Sequence, residues 1–130
     1  MRKSTIALSL FCVTLAVPML GDAQPAGLKR TVLQKADLSA PGREVVQAVA
    51  EVPPGAMAGR HTHPGEEVSY MLEGSATLYV DGQPPRVVKA GESFLIPAGV
   101  IHDAKAGETG GKVLATYIVE KGKPLATPAP

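Results

Sequence analysis

Every histidine of this chain lies in one of two short segments, and their spacing constrains the fold more than any other feature. Residues 55–74 read GAMAGRHTHPGEEVSYMLEG and place His61, His63 and Glu67 between Gly55 and Gly74. Residues 91–102 read GESFLIPAGVIH and supply His102. Side chains alternate along a strand, so His61 and His63 project to the same side, close enough to share one ion. On a straight strand Glu67 would lie roughly 13 Å beyond His63, too far for a common ion. A turn is therefore required, and Pro64-Gly65 pairs a fixed φ with a permissive residue at that point. Beyond it Glu67, Ser69 and Met71 share one face of the next strand, and Val68, Tyr70 and Leu72 the other. His102 must arrive from a distant part of the chain. Three imidazoles and a carboxylate suit a divalent transition metal rather than calcium or magnesium, which favour oxygen ligands.

The surrounding sequence reads as strands and turns. Strands are expected over 31–38 and 43–52, the second rich in valine and closed by Pro53-Pro54. Further strands are expected over 66–72, 75–80, 86–90, 93–96 and 112–120, with an Asp81-Gly82 hairpin signal between two of them. Ala76, Leu78 and Val80 share a face. Residues 103–111, DAKAGETGG, read as a polar, glycine-rich loop, and 121–130, KGKPLATPAP, as a mobile tail with little to anchor it. Short strands, Gly/Pro/Asp turns and no convincing helix predict an all-β sandwich or barrel.

The two histidine segments resemble the two motifs of the cupin superfamily. The first, G-x5-H-x-H-x3,4-E-x6-G, is matched by Gly55, His61, His63, Glu67 and Gly74; the second, G-x5-P-x-G-x2-H-x3-N, by Gly91, Pro97, Gly99 and His102. Ala106 stands where the second motif ends in Asn, a residue that is not a metal ligand in the family. The resemblance implies a double-stranded β-helix, or jelly roll, of the small single-domain (type 2) kind, with the barrel over 43–120 and an N-terminal arm and first strand over 24–42. It also implies that His61, His63, Glu67 and His102 ligate one divalent ion (Fe, Ni, Mn, Cu or Zn) near a barrel mouth. The family's spacing to Gly74 selects Glu67 over Glu66, which then faces outward.

The first 23 residues read as a secretory signal peptide. Arg2-Lys3 precede an apolar run from Ile6 to Leu20, and Gly21-Asp22-Ala23 puts small residues at the positions a signal peptidase recognises. The run is too short and too interrupted for a membrane span, which needs ~20 apolar residues. Periplasmic or secreted localisation is therefore expected. The one cysteine, Cys12, lies inside the signal, so residues 24–130 carry no thiol or disulfide chemistry. With 13 basic against 12 acidic residues, there is no basic footprint for nucleic acid and no polybasic membrane patch.

Taken with the resemblance, the residues imply an exported metal-binding cupin, with two classes of function open. One is a small-molecule metalloenzyme, of dioxygenase type in the first instance or an isomerase or lyase, in which Glu67 also serves as proton acceptor. The other is a non-catalytic module that holds a sugar or a small organic ligand. The expected lining is poor in charge and favours a small, neutral or weakly acidic molecule over a phosphate ester. Tyr70, Tyr79, Tyr117 and Phe94 read as core or interface residues, Ser69 and Met71 as weak candidates for lining, and Arg60 as a surface charge. Pairing through sheet edges makes a homodimer the expected assembly.

Overall fold

The computed structural model describes residues 27–130. The expected signal peptide, residues 1–23, lies outside them. Eight strands follow one another: β1 (Lys29–Asp37), β2 (Arg43–Val52), β3 (His61–Thr62), β4 (Gly65–Val80), β5 (Arg86–Lys89), β6 (Ser93–Ile96), β7 (His102–Glu120) and β8 (Thr127–Pro128). All pairings are antiparallel, and there is no helix among the described residues. The expected all-β jelly roll is what the chain forms.

Two long strands give the barrel its shape. The first part of β4 pairs with β6 on one side and with the second part of β7 on the other, Glu67 lying opposite Ile96 and Tyr117. The second part of β4 pairs with β5 and with the first part of β7, Val80 lying opposite His102. One wall is thus β1-β2-β7-β4-β6 and the other is β5-β4-β7-β3-β8, with β4 and β7 shared. The sheet bends where β4 carries register shifts between Met71 and Glu73 and between Gly74 and Ala76. Gly74 is required at this corner: its φ is +70°, and a Cβ there would run into the Gly110 carbonyl.

The alternation expected in each strand decides what is buried. On β2, Glu44, Val46, Ala48 and Ala50 face in; on β4, Glu67, Ser69, Met71, Ala76 and Leu78 do so. One apolar cluster gathers Val46, Ala48, Ala115, Tyr117, Val119 and Leu125, and a second gathers Met71, Ala76, Leu78 and Val88. Val113 packs against both and joins them.

Two expectations are corrected. Residues 103–111 are not a loop but the first part of β7, paired with β4 from His102 to Gly111. Their glycines mark the barrel corner, where backbones approach closely; a Cβ on Gly107 would meet the Ser75 hydroxyl. Residues 121–130 do not hang free: Leu125 and Ala126 are buried, and β8 pairs with β3. The anchor is one leucine inserted into the first apolar cluster, too small a signal to stand out in a proline-rich, polar stretch.

This packing makes a prediction. Leu125→Ala is expected to cost about 2–5 kcal/mol in urea unfolding, whereas Leu95→Ala, at a 57% exposed position, stays within about 0.5 kcal/mol. Equal losses would contradict the docking of the C-terminal segment.

Candidate metal centre

The structure brings His61, His63, Glu67 and His102 together inside the barrel, all four buried. Their placement follows from strand pairing. His61 on β3 lies directly opposite His102 on β7, and their rings come within 4.3 Å. His63, two residues on, stands with its ring 4.8 Å from His61 and 5.1 Å from His102. The chain then turns at Pro64, as expected, and β4 returns Glu67 to the same interior. Glu67 Oε2 is 3.0 Å from His63 Nε2 and 3.6 Å from His102 Nε2.

Backbone carbonyls orient the three rings. Nδ1 of His61 lies 2.6 Å from the Gly59 carbonyl, that of His63 2.6 Å from Leu125, and that of His102 2.9 Å from Val100. A carbonyl only accepts, so each Nδ1 must carry a proton and donate it, which leaves Nε2 of the neutral ring as a lone pair. The ligand atoms of the three rings lie within 4.8 Å of one another. Among the described residues, Nε2 of His63 and of His102 is buried without a hydrogen bond of acceptable geometry, despite the nearby carboxylate. Lone pairs converging beside a carboxylate repel one another unless a cation stands between them. The donor set therefore fits a divalent metal ion, and nitrogen-rich ligation points to a transition metal.

Electrostatics agree with the geometry. Burial pushes the His61 imidazole down to about 4, and His102 beside it adds to that fall. Burial works to raise the Glu67 carboxyl, but His102 and His63, whose contacts favour the ionised form only while their Nε2 carries a proton, overcome it, helped by the Ser69 hydroxyl, and hold the group well below the usual carboxylate range. Ser69 Oγ donates to Glu67 Oε1 at 2.6 Å, so Oε2 is the oxygen turned toward the imidazoles. Tyr117 lies across the ladder from Glu67 and packs its ring 4.7 Å from that of His63. Burial first, and then the Glu67 carboxylate, push its hydroxyl above the usual phenol range, so it stays protonated.

A cavity of about 60 Å³ opens above these residues. Its walls include Leu78, Phe94, Val113 and Tyr117, and Arg30 reaches it from β1. Phe94 and Tyr117, expected to be core or interface residues, thus also line the cavity. Met71 belongs to the apolar core and Ser69 serves Glu67, so neither lines it. Arg30 is the residue that sequence inspection missed. Its inward face follows from its register opposite Ala50, a long-range fact that its flanking residues do not reveal. Asp103 does not support His102: it accepts from the amides of Gly59 and Ala104 instead, which holds the loop carrying the His61 carbonyl partner. Arg60 does lie at the surface, paired with Asp81 at 3.1 Å.

A doubly used antiparallel barrel with three histidines and a glutamate inside defines a β-barrel protein with a candidate metal site. The Cupin domain family model matches residues 48–119, more than half of the chain, and the protein belongs to the cupins. Solved structures agree on the fold. An RmlC-like cupin from Shewanella frigidimarina is 29% identical, with 79% of this chain and 82% of that chain covered and a TM-score of 0.58. The DMSP lyase DddQ from Ruegeria pomeroyi is 24% identical, with coverage of 65% and 43% and a TM-score of 0.61. An oxalate decarboxylase variant from B. subtilis is 22% identical, with coverage of 65% and 24% and a TM-score of 0.60. The chain therefore spans less than half the length of either enzyme. No curated protein sequence matches it significantly.

The depressed His61 value predicts a pH dependence. Its folded value, about 4, lies below the ordinary 6.5, so the folded chain binds that proton less readily than the unfolded one. The stability it contributes is complete above pH 6.5 and is lost as the pH falls from there toward 4. Glu67, ionised in the fold, adds a further loss below its ordinary 4.5. Thermal melting of the metal-free protein is expected to show the decline, on the order of 2 kcal/mol for His61, and His61→Gln to flatten its upper part. A melting point that holds steady between pH 6.5 and 4 would refute it.

Proposed function

We propose that the protein is an exported metalloenzyme acting on a small organic molecule, with dioxygenase-type chemistry as the first assignment. The observation that carries this is the convergence of three carbonyl-oriented imidazoles on Glu67 at the floor of a small cavity. A bound divalent ion supplies Lewis acidity toward an oxygen donor and, if redox-active, electron exchange with dioxygen. His61, His63, Glu67 and His102 hold the ion, in this proposal. The chain's other contributions are orientation, exclusion of water and proton transfer. Phe94, Leu78 and Val113 keep bulk water off the reacting atoms. Glu67, steadied through Oε1 by Ser69, is also assigned the role of proton acceptor, which it would take by shifting from ligand to base.

That ionised carboxylate also favours a second assignment, a lyase or isomerase that moves a proton without consuming oxygen. Two proteins of the same fold are named as a lyase and a decarboxylase, DMSP lyase and oxalate decarboxylase. Export is supported by the pattern of residues 1–23. A homodimer is supported by β1, which forms an outer edge of its wall with Val32 and Leu33 exposed. Light scattering that finds a monomer at micromolar concentration would remove that part.

Elemental mass spectrometry of untagged protein from the periplasm tests the central claim. About one transition-metal ion per chain is expected, lost in the His61→Ala/His63→Ala double variant. Glu67→Gln, which keeps the volume and removes the charge, is expected to weaken binding by about 10- to 100-fold. Iron, nickel, manganese or copper with oxygen uptake on a candidate substrate supports the dioxygenase; zinc favours the lyase or isomerase, since zinc has no redox role. No metal even after reconstitution would overturn the metalloenzyme and leave a binding module.

A further inference from the structure

We propose that the cavity beside the histidine group is a dry chamber for a short, uncharged alkyl group of about two to four heavy atoms, and that it excludes charged groups of that size. The inference rests on the reading of this site as a small-molecule site and names the part of a ligand that the chamber takes.

The wall of the chamber is carbon. Leu28, Leu78, Phe94 and Val113 supply much of it, and Ala50, Ala58 and Ala104 add their methyl groups. The polar and charged residues in the lining turn their polar atoms to protein partners instead. Glu67 Oε1 accepts from Ser69, and Oε2 stands 3.0 Å from His63 Nε2. His61 and His102 give Nδ1 to backbone carbonyls. Arg30 Nε donates to the Tyr117 hydroxyl at 3.3 Å, one of several interactions that occupy this side chain. Almost none of the accessible wall is therefore polar. A buried water needs two to four polar partners, and the chamber does not offer them. It is dry.

Small side chains keep it open. Protein interiors seldom leave a space larger than one water, and an unfilled void costs stability in proportion to its volume. One larger residue at Ala50, Ala58 or Ala104 would close this one, yet all three positions hold alanine beside the histidine group. Volume then sets the size of the occupant. An apolar cavity of about 150 Å³ takes benzene or xenon. At about 60 Å³ this chamber is less than half as large, which leaves out a six-membered ring and suits a short aliphatic group. A charged group would exchange its hydration for a wall of carbon, at a heavy penalty. Of the neutral or weakly acidic molecules that the sequence suggests, the chamber takes the neutral, apolar part.

The test uses the full chain as purified, with isotope-labelled alanine, leucine and valine methyl groups and metal content measured on the same sample. Xenon is admitted under pressure while the methyl resonances are followed by NMR. The methyls of Ala50, Leu78 and Val113 are expected to shift and saturate, and those of the exposed Val87 to stay put. Cyclopropane should displace the xenon, whereas acetate at equal concentration and benzene should not. Ala50→Val, which puts a larger side chain into the chamber, should weaken xenon binding by about tenfold or more without lowering the melting temperature. Cavity methyls that do not respond to xenon, whatever the metal content, would overturn this inference alone. So would displacement by acetate or benzene as effective as that by cyclopropane, or undiminished xenon binding in Ala50→Val. Xenon binding in a protein that takes no metal would keep the chamber and remove the metalloenzyme. If Ala50→Val does not fold, Ala58→Val replaces it, and the comparison of cyclopropane with acetate in the wild type decides.

Discussion

The ladder between β4 and β7 is the constraint on which the rest of the structure depends. Each strand serves both walls, so a single register sets the barrel's curvature, the position of the corner at Gly74 and the meeting of the histidine-bearing segments. A slip of one residue would turn Glu67, Ser69 and Met71 outward and put Val68, Tyr70 and Leu72 in their place. The interior leaves no room for that exchange. Met71 is fully buried and Tyr117 almost so, and the tightest approaches along the ladder are taken by glycine.

Within that frame the chemistry depends on backbone oxygens rather than on acidic side chains. The carbonyls of Gly59, Val100 and Leu125 each take the Nδ1 proton of one imidazole, so the protein decides which nitrogen faces the interior. Among the described residues Glu67 is then the only carboxylate in the lining, and Ser69 fixes which of its oxygens is presented. Tyr117 links this centre to the cavity, with His63 beside its ring and Arg30 at its hydroxyl.

Much of this was legible in the sequence because it is local. Alternation put Glu67, Ser69 and Met71 on one face of β4, and the His-x-His spacing with Pro64-Gly65 foretold the turn that brings Glu67 back. What was not legible depends on pairing across long separations. Residues 103–111 look like a loop because glycine and polar residues usually mark one, yet at a barrel corner the same residues permit close backbone contact. Arg30 looks like part of a solvated arm. Its inward position exists only in register with Ala50, and the irregularity between Val32 and Gln34 breaks the alternation that would have shown it. Leu125 is a single apolar residue among lysines and prolines, and its importance comes from the cluster it enters.

The carbonyl that orients His63 belongs to Leu125, 62 residues further along the chain. Segment 121–128 comes last in the chain, and its β8 pairs with β3 on the side opposite to β7. With that segment undocked, the His63 ring would lose the acceptor that fixes its Nδ1 and could present either nitrogen. The docked C-terminal segment thus works as a latch on the His63 ring, and the presentation of one ligand nitrogen depends on residues far outside the two histidine segments.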